Sequence, residues 1–264
     1  MEKKRNSIEF KVHGLYALFS DPIMRVGGEK YSYQVPTYQS LVGIAASIYW
    51  KPTFIWVIDA VRVMKKIQTE AKSIKTLQMD GIYPSLKNPA KKKEAGISDL
   101  SYYTYLRDVE YQVLAHFEWN EHYPELIADR DENKHHNIAK RCVIKGGRRD
   151  IFLGTRECQG YIEPCVFGEG ASYYDDYGEL HFGTMFHGFD YPGNTGENDF
   201  KKRLWPRARM KDGVINFQES WDEIVPPEHI RPLTAKNFTE GINFTPIEKD
   251  TILLMLLEEA EEQI

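Results

Sequence analysis

Residues Asp108–Asn120, DVEYQVLAHFEWN, alternate Val109, Tyr111, Val113, Ala115, Phe117 and Trp119 with Glu110, Gln112, His116 and Glu118. Side chains of a strand point to opposite faces in turn, so this period of two predicts a strand with one apolar face. The stretch that follows it, DENKHHNIAKRCVIKGGRRD (Asp131–Asp150), changes period. Ile138, Ala139 and Cys142 fall on one side of a helix that Asp131 or Asn133 can cap and that Gly146–Gly147 stop. QGYIEPCVF (Gln159–Phe167) is a further strand candidate. Upstream, SIEFKVHGLYALF alternates Ile8, Phe10 and Val12 with polar neighbours and reads as a first strand. PTYQSLVGIAASIYW has Leu41, Ile44, Ala45 and Ile48 at helical spacing, with Thr37 as N-cap and an end before Lys51–Pro52. TFIWVIDAVRVM is β-branched and aromatic, a strand. The order to Phe167 is β-α-β-β-α-β with extra loop matter between, the order of a ferredoxin-like (RRM-like) fold.

After Gly168 the texture changes. GELHFGTMFHGFDYP and RLWPRARMKDGVINF are strand pieces punctuated by Gly and Pro, with a turn at Lys211–Gly213. The expectation is an α+β protein: residues 1–169 a ferredoxin-like domain, residues 170–264 a small antiparallel β domain. TPIEKDTILLMLLEEAEEQI (Thr245–Ile264) reads as an amphipathic C-terminal helix that ends acidic, and the Lys-rich stretch Ser85–Asp99 as an insertion. His181 and His187 lie six apart in strand texture and read as core or edge histidines.

Composition narrows the class. The chain has 264 residues, 42% hydrophobic and 28% charged, with a net charge of −5. No apolar run approaches the ~20 residues a membrane-spanning helix requires, and no secretory signal is visible, so no membrane association is expected. Cys142, Cys158 and Cys165 cannot all pair with one another and match no zinc spacing, which reads as a reduced, cytoplasmic chain without a structural metal. Walker, G-x-G-x-x-G, H-E-x-x-H and G-x-S-x-G motifs are absent.

Within this acidic chain, Asn133–Arg149 gathers Lys134, Lys140, Arg141, Lys145, Arg148 and Arg149 with His135 and His136, and contains no carboxylate. A solvated helix face normally mixes its signs. A helix start favours anions, and lysines and arginines suit phosphate. Histidine is the side chain that titrates near neutral pH. Together they supply the base, cation and acid that RNA cleavage without metal needs. The plain alternative is a basic exposed helix with incidental histidines, and at the level of spacing both stand. Adjacent residues diverge by ~100° around a helix, so the two histidines do not face one atom by default.

A longer pattern surrounds the island. GLYALFSDP, VGGEKYSYQVPTYQSLVGI, SIYWKPTFIWVID, RVMKKIQTE, YTYLRDVEYQVLAHFEWN, ENKHH, GGRRDIFLGTRECQGYIEPCVFGEG and GTMFHGFDYP run from about Ile8 towards Trp205. This text resembles the type I-C CRISPR-associated pre-crRNA endoribonucleases, the subtype-d (also called subtype-c) branch of the fifth Cas family in the RAMP superfamily. The resemblance implies metal-independent cleavage of CRISPR repeat RNA at the base of its hairpin, with no cofactor. It also implies retention on the crRNA 5′ handle, beside the backbone and large subunits of the type I-C surveillance complex. The family's catalytic Tyr in a "YW" pair and its Lys–His pair fall on Tyr49 and on Lys134 and His135, with His136 able to substitute for its neighbour. Lys134 would stabilise the phosphorane, His135 transfer a proton, and Tyr49 orient the nucleophile or donate. Lys140, Arg141, Lys145, Arg148, Arg149 and Arg156 are the expected RNA-binding residues. A non-catalytic crRNA-binding subunit and a double-stranded DNA-binding module are the rival readings.

Overall fold

The computed structural model describes residues 3–20, 29–77, 98–253 and 255. Its spine is β5 (Ser98–Trp119), a 22-residue strand. On one edge lies β1 (Ile8–Ala17), antiparallel, with Phe10 opposite Val113. On the other edge lies β3 (Phe54–Val63), antiparallel, with Trp56 opposite Phe117 and Val61 opposite Val113. Beyond β1 come β7 (Gln159–Pro164) and then β6 (Ile151–Phe152). The alternating stretch at Asp108–Asn120 is therefore only the second half of β5. Its first half carries β4 (Thr69–Leu77), with Thr69 opposite Leu106, and a short parallel partner, β2 (Lys30–Tyr31). The strands β3 and β4 succeed one another along the same edge. Asp108, with φ of 51°, stands at the junction, where Lys65 meets its carboxylate at 2.7 Å.

The apolar face of this sheet carries two helices. In α1 (Tyr38–Ile48), Thr37 accepts the Ser40 N–H and satisfies one of the free donors of the first turn. Leu41, Ile44, Ala45 and Ile48 are buried, as their spacing predicts. In α2 (Glu132–Ile144), Asp131 caps by accepting the Lys134 N–H at 3.0 Å. It buries Ile138, Ala139, Cys142 and Val143. These side chains share one core with Phe10, Val12, Val113 and Phe117. Burial of this apolar area is the main stabilising term.

One expectation needs correction, that of a separate second sheet, and the polar side of the β5 alternation is more buried than its residue types suggest. Gln112 and His116, on the polar side of the alternation, are buried. The opposite sheet face is covered there, and each polar group has a partner. His116 donates to Asp59, which occupies a bulge in β3, and accepts from Lys4. Gln112 donates to the Glu169 carbonyl and accepts the Gly168 N–H. The strands after residue 170, β8 (Glu179–Asp190), β9 (Asp199–Lys211), β10 (Val214–Asn216) and β11 (Glu228–Pro232), are antiparallel as expected but form no separate sheet. β10 registers on β3, Ile215 opposite Val61, giving the order β11-β9-β10-β3-β5-β1-β7-β6, with β8 on β9. The result is a mixed α/β architecture on a mostly antiparallel sheet. Most of the Lys-rich stretch, and of the helix expected at the C-terminus, lies outside the described residues. Among those described, no helix is long and apolar enough to cross a membrane, and the three cysteines are free.

His187 sits where the second half packs on α1. It is buried, stacks on Tyr38 at 4.4 Å and donates to Ser220 Oγ, whose own O–H donates to the Phe217 carbonyl. Burial pushes its pKa down to about 3, helped by the Arg203 charge. Between pH 6.5 and that value the unfolded chain binds a proton that the folded chain refuses. Stability should therefore fall as pH falls through this window, by about 1.4 kcal/mol per unit for this group. Urea midpoints at pH 7 and pH 5 should show the loss, and His187→Gln should flatten it.

Candidate active site

Helix α1 ends at Tyr49. Its backbone turns to extended geometry (φ −157°, ψ 135°) while its N–H still bonds the Ala45 carbonyl, and its own carbonyl accepts from the Trp56 indole at 2.7 Å. This directs the ring inward, against Phe54, and leaves Tyr49 only 1% exposed. The carbonyls of Ser47 and Ile48, otherwise unpaired at the helix end, accept the N–H groups of Arg149 and Arg148. Those two amides are delivered by the end of α2. Gly146 (φ 82°) donates to the Val143 carbonyl and Gly147 (φ 104°) to that of Cys142, a Schellman closure that needs the left-handed backbone glycine tolerates. The basic loop is thereby clipped to α1 next to Tyr49.

His135, in the first turn of α2, is fully buried among Phe54, Phe117 and Trp119. Its Nδ1 lies 2.7 Å from Tyr49 Oη and its Nε2 lies 2.7 Å from the Asp129 carbonyl oxygen. A carbonyl only accepts, so Nε2 carries the proton in the neutral ring and Nδ1 accepts the Tyr49 hydroxyl proton. Desolvation lowers the His135 pKa, opposed by the Asp129 carbonyl and charge. Desolvation likewise raises that of Tyr49 far above the usual phenol value, with the Asp129 charge adding to it. The structure thus joins a phenol and a neutral imidazole from residues 86 positions apart.

The third member of the expected set stands apart. Lys134 points outward, its side chain 43% exposed, and binds Glu248 at 2.8 Å and Asp131 at 3.7 Å. The Glu248 hydrogen bond raises its pKa. His136 diverges from His135 around the helix and donates to the Ser7 carbonyl at 2.9 Å. Of the basic residues, Lys140, Lys145, Arg148, Arg149 and Arg156 are exposed. Arg141 is half-buried, and its Nη1 has no hydrogen-bond partner among the described residues. Lys145, Arg148 and Arg149 line an open groove together with Gly160 and the exposed Tyr161. Arg156 lies on the β6–β7 loop and is not among the groove residues.

Sequence reasoning missed the groups that close the site. Asp129, buried in the 3₁₀ turn Pro124–Asp129, accepts from Thr53 Oγ1 at 2.6 Å and from the Ile247 N–H at 2.5 Å. Lys51, with a side chain only 7% exposed, donates to Asp250 at 2.8 Å and to the Thr245 carbonyl at 2.6 Å. The one available signal was a lysine set between Tyr49-Trp50 and Pro52-Thr53-Phe54, an apolar context in which a charge requires a partner.

Residues 7–218 match the family Cas_Cas5d, described as CRISPR-associated protein (Cas_Cas5), and the chain belongs to that family. The CRISPR pre-crRNA endoribonuclease Cas5d of Mannheimia succiniciproducens is 28% identical over 235 residues, 83% of this chain and 98% of that protein. The protein of the same name from Thermus thermophilus is 28% identical over 160 residues, 60% of this chain and 63% of that one. A solved crystal structure of a CRISPR-associated protein aligns with a TM-score of 0.63 at 36% identity, covering 82% of this chain and 93% of that one.

Replacing Tyr49 by Phe removes the donor to Nδ1 and leaves a buried acceptor unsatisfied. The variant should lose about 1–3 kcal/mol in urea denaturation. His136→Ala, whose ring meets only a carbonyl near the surface, should lose less than His135→Ala in the same measurement.

Proposed function

We propose that this chain is a metal-independent, repeat-specific endoribonuclease that cuts CRISPR precursor RNA. In this reading it stays on the 5′ handle as a cytoplasmic subunit of a type I-C surveillance complex, with backbone and large Cas subunits as neighbours. The observation that carries it is the Tyr49–His135 hydrogen bond beside a cationic groove, in a chain of the Cas5d family whose curated relatives are named for this activity. Residues 1–169 are taken as the ferredoxin-like RNA-binding and catalytic part. The strand order β7-β1-β5-β3 with both helices on one face supports that assignment. Residues 170–264 are taken as the small β part.

The polarity of the Tyr49–His135 bond gives the proton path. Tyr49 donates to Nδ1, so its oxygen is free to accept from a ribose 2′-OH. The 2′ oxygen attacks phosphorus, its proton passes to Tyr49 Oη, and the phenol proton passes to His135. The P–O5′ bond then breaks, O5′ takes a proton from solvent, and His135 returns its extra proton to solvent. The products are a 2′,3′-cyclic phosphate and a 5′-OH. Lys134 supplies positive charge for the phosphorane once RNA phosphate replaces Glu248. The groove at Lys145–Arg149 tracks the backbone, and Tyr161 offers a ring on which a base can stack. Duplex DNA would engage the same groove as a side activity.

A second reading, a non-catalytic crRNA-binding subunit, draws on the burial of Tyr49 and His135. One experiment separates them. Purified chain with its cognate repeat RNA in EDTA should cleave under single-turnover conditions and leave the cyclic phosphate. His135→Ala should slow cleavage by roughly 10²–10⁴-fold with affinity nearly kept. Lys134→Ala should slow cleavage and weaken binding, and His136→Ala should be mild. Absence of cleavage in the wild type, or a strict need for divalent metal with 5′-phosphate products, would reject the endoribonuclease mechanism.

The imidazole must be neutral to take the proton, and burial holds its pKa below 6.5. The cleavage rate should therefore be level near neutrality and fall only at pH below 6.5, as His135 becomes protonated. Arg148→Ala with Arg149→Ala should flatten the salt dependence of binding, the log–log slope falling by about 0.7 for each RNA phosphate no longer neutralised.

A further inference from the structure

We propose that Lys51 and Arg148 form a binding site for the scissile phosphate of the RNA, which the Asp250 carboxylate fills in the chain alone. The inference rests on the reading of Tyr49 and His135 as the reacting pair and adds the cation that faces them. Lys51 follows Tyr49 by two residues, and its charge is felt at His135. The charges of Asp250 and Arg148 are felt at Tyr49. Geometry places them beside Tyr49: the Arg148 N–H bonds the carbonyl of Ile48, the residue before it, and Asp250 lies between Arg148 and Lys51.

Asp250 Oδ2 lies 2.8 Å from Lys51 Nζ and 3.9 Å from Arg148 Nη2. Burial alone would raise the Asp250 pKa, but the Lys51 hydrogen bond and charge outweigh it and hold the carboxylate ionised. A phosphodiester carries the same single negative charge on two oxygens. It can take the place of the carboxylate without leaving Lys51 buried and unpaired, the outcome that makes breaking such a pair costly.

Asp250 belongs to a segment that covers the site at three points. Thr245 and Asp250 hold Lys51, the Ile247 N–H holds Asp129, and Glu248 holds Lys134. Two of these contacts set a carboxylate on a lysine that RNA phosphate would seek. The segment also lies beyond residues 7–218, the stretch matched by the family. Tyr49 and His135 are 1% and 0% exposed, so a ribose reaches them only when the chain around them opens, and the segment is bonded to three of their neighbours in sequence or space, Lys51, Asp129 and Lys134. RNA entry and withdrawal of residues 245–250 are then one exchange: phosphates for Glu248 and Asp250.

The test uses the full chain and its cognate CRISPR repeat RNA. Asp250→Asn should tighten binding at low salt and steepen the salt dependence by about 0.7, the increment for one further phosphate of a single strand. Lys51→Met should slow single-turnover cleavage by about 10²-fold or more. The double variant should show none of the gain in binding. An unchanged slope in Asp250→Asn, or a gain that survives Lys51→Met, overturns the proposal. Hydrogen exchange of the unmutated chain gives an answer that does not depend on variants folding. Repeat RNA with a 2′-deoxy sugar at the cut should lower protection at Ile247, and unchanged or increased protection overturns the exchange. Wild-type cleavage by His135→Ala alongside the expected Asp250→Asn behaviour would remove the catalytic pair and leave the phosphate site. The reverse pattern would remove the phosphate site alone.

Discussion

Asp129 is a buried carboxylate with no lysine or arginine bonded to it among the described residues, and the arrangement around it follows from that constraint. A charge out of water requires hydrogen bonds on its free lone pairs. Thr53 donates from the start of β3 and the Ile247 amide from the C-terminal segment. The carbonyl of the same residue takes the His135 Nε2 proton. One residue thereby fixes three separated parts of the chain and also selects the imidazole tautomer. With Nε2 committed, Nδ1 can only accept, and the Tyr49 hydroxyl has one direction in which to point. The proton polarity of the site is set from behind, by a group that would not touch substrate.

The basic island illustrates how a local charge pattern and its tertiary environment differ. Seen along the chain, Asn133–Arg149 has no carboxylate to weaken it. In the fold, Glu248 and Asp250 arrive from more than a hundred positions away and meet Lys134, Lys51 and the edge of Arg148. An exposed ion pair such as Lys134–Glu248 is weak and screened by salt, so a competing anion such as phosphate can displace the carboxylate.

What was legible in the sequence was what local physics decides. Thr37 and Asp131 cap because their side chains reach free amides, Gly146 and Gly147 stop α2 because they adopt positive φ, and the period-two stretches are strands. The convergence of Tyr49 on His135 was suggested only by family resemblance, since no spacing rule links residues so far apart. The outward turn of Lys134 was illegible because Glu248 directs it. The joining of β10 to β3 was equally hidden, because a three-residue strand carries no signal for its partner. The burial of Gln112 and His116 was not legible either, because alternation reports residue type and their buried partners come from other segments.

The closing segment also has a temporal consequence. Synthesis runs from the N-terminus, so Tyr49, Lys51, Asp129 and His135 leave the ribosome well before Thr245–Asp250. Until those residues emerge, the Lys51 ammonium lacks Asp250 and one oxygen of Asp129 lacks the Ile247 amide, and burying either group is unfavourable. The sheet and helices can assemble as local and mid-range pairings become available, but the last tightening waits on partners of very long sequence separation, the kind that meet slowly. A chain that has not yet delivered Thr245–Asp250 therefore lacks the partners that close its polar centre and cover its buried lysine.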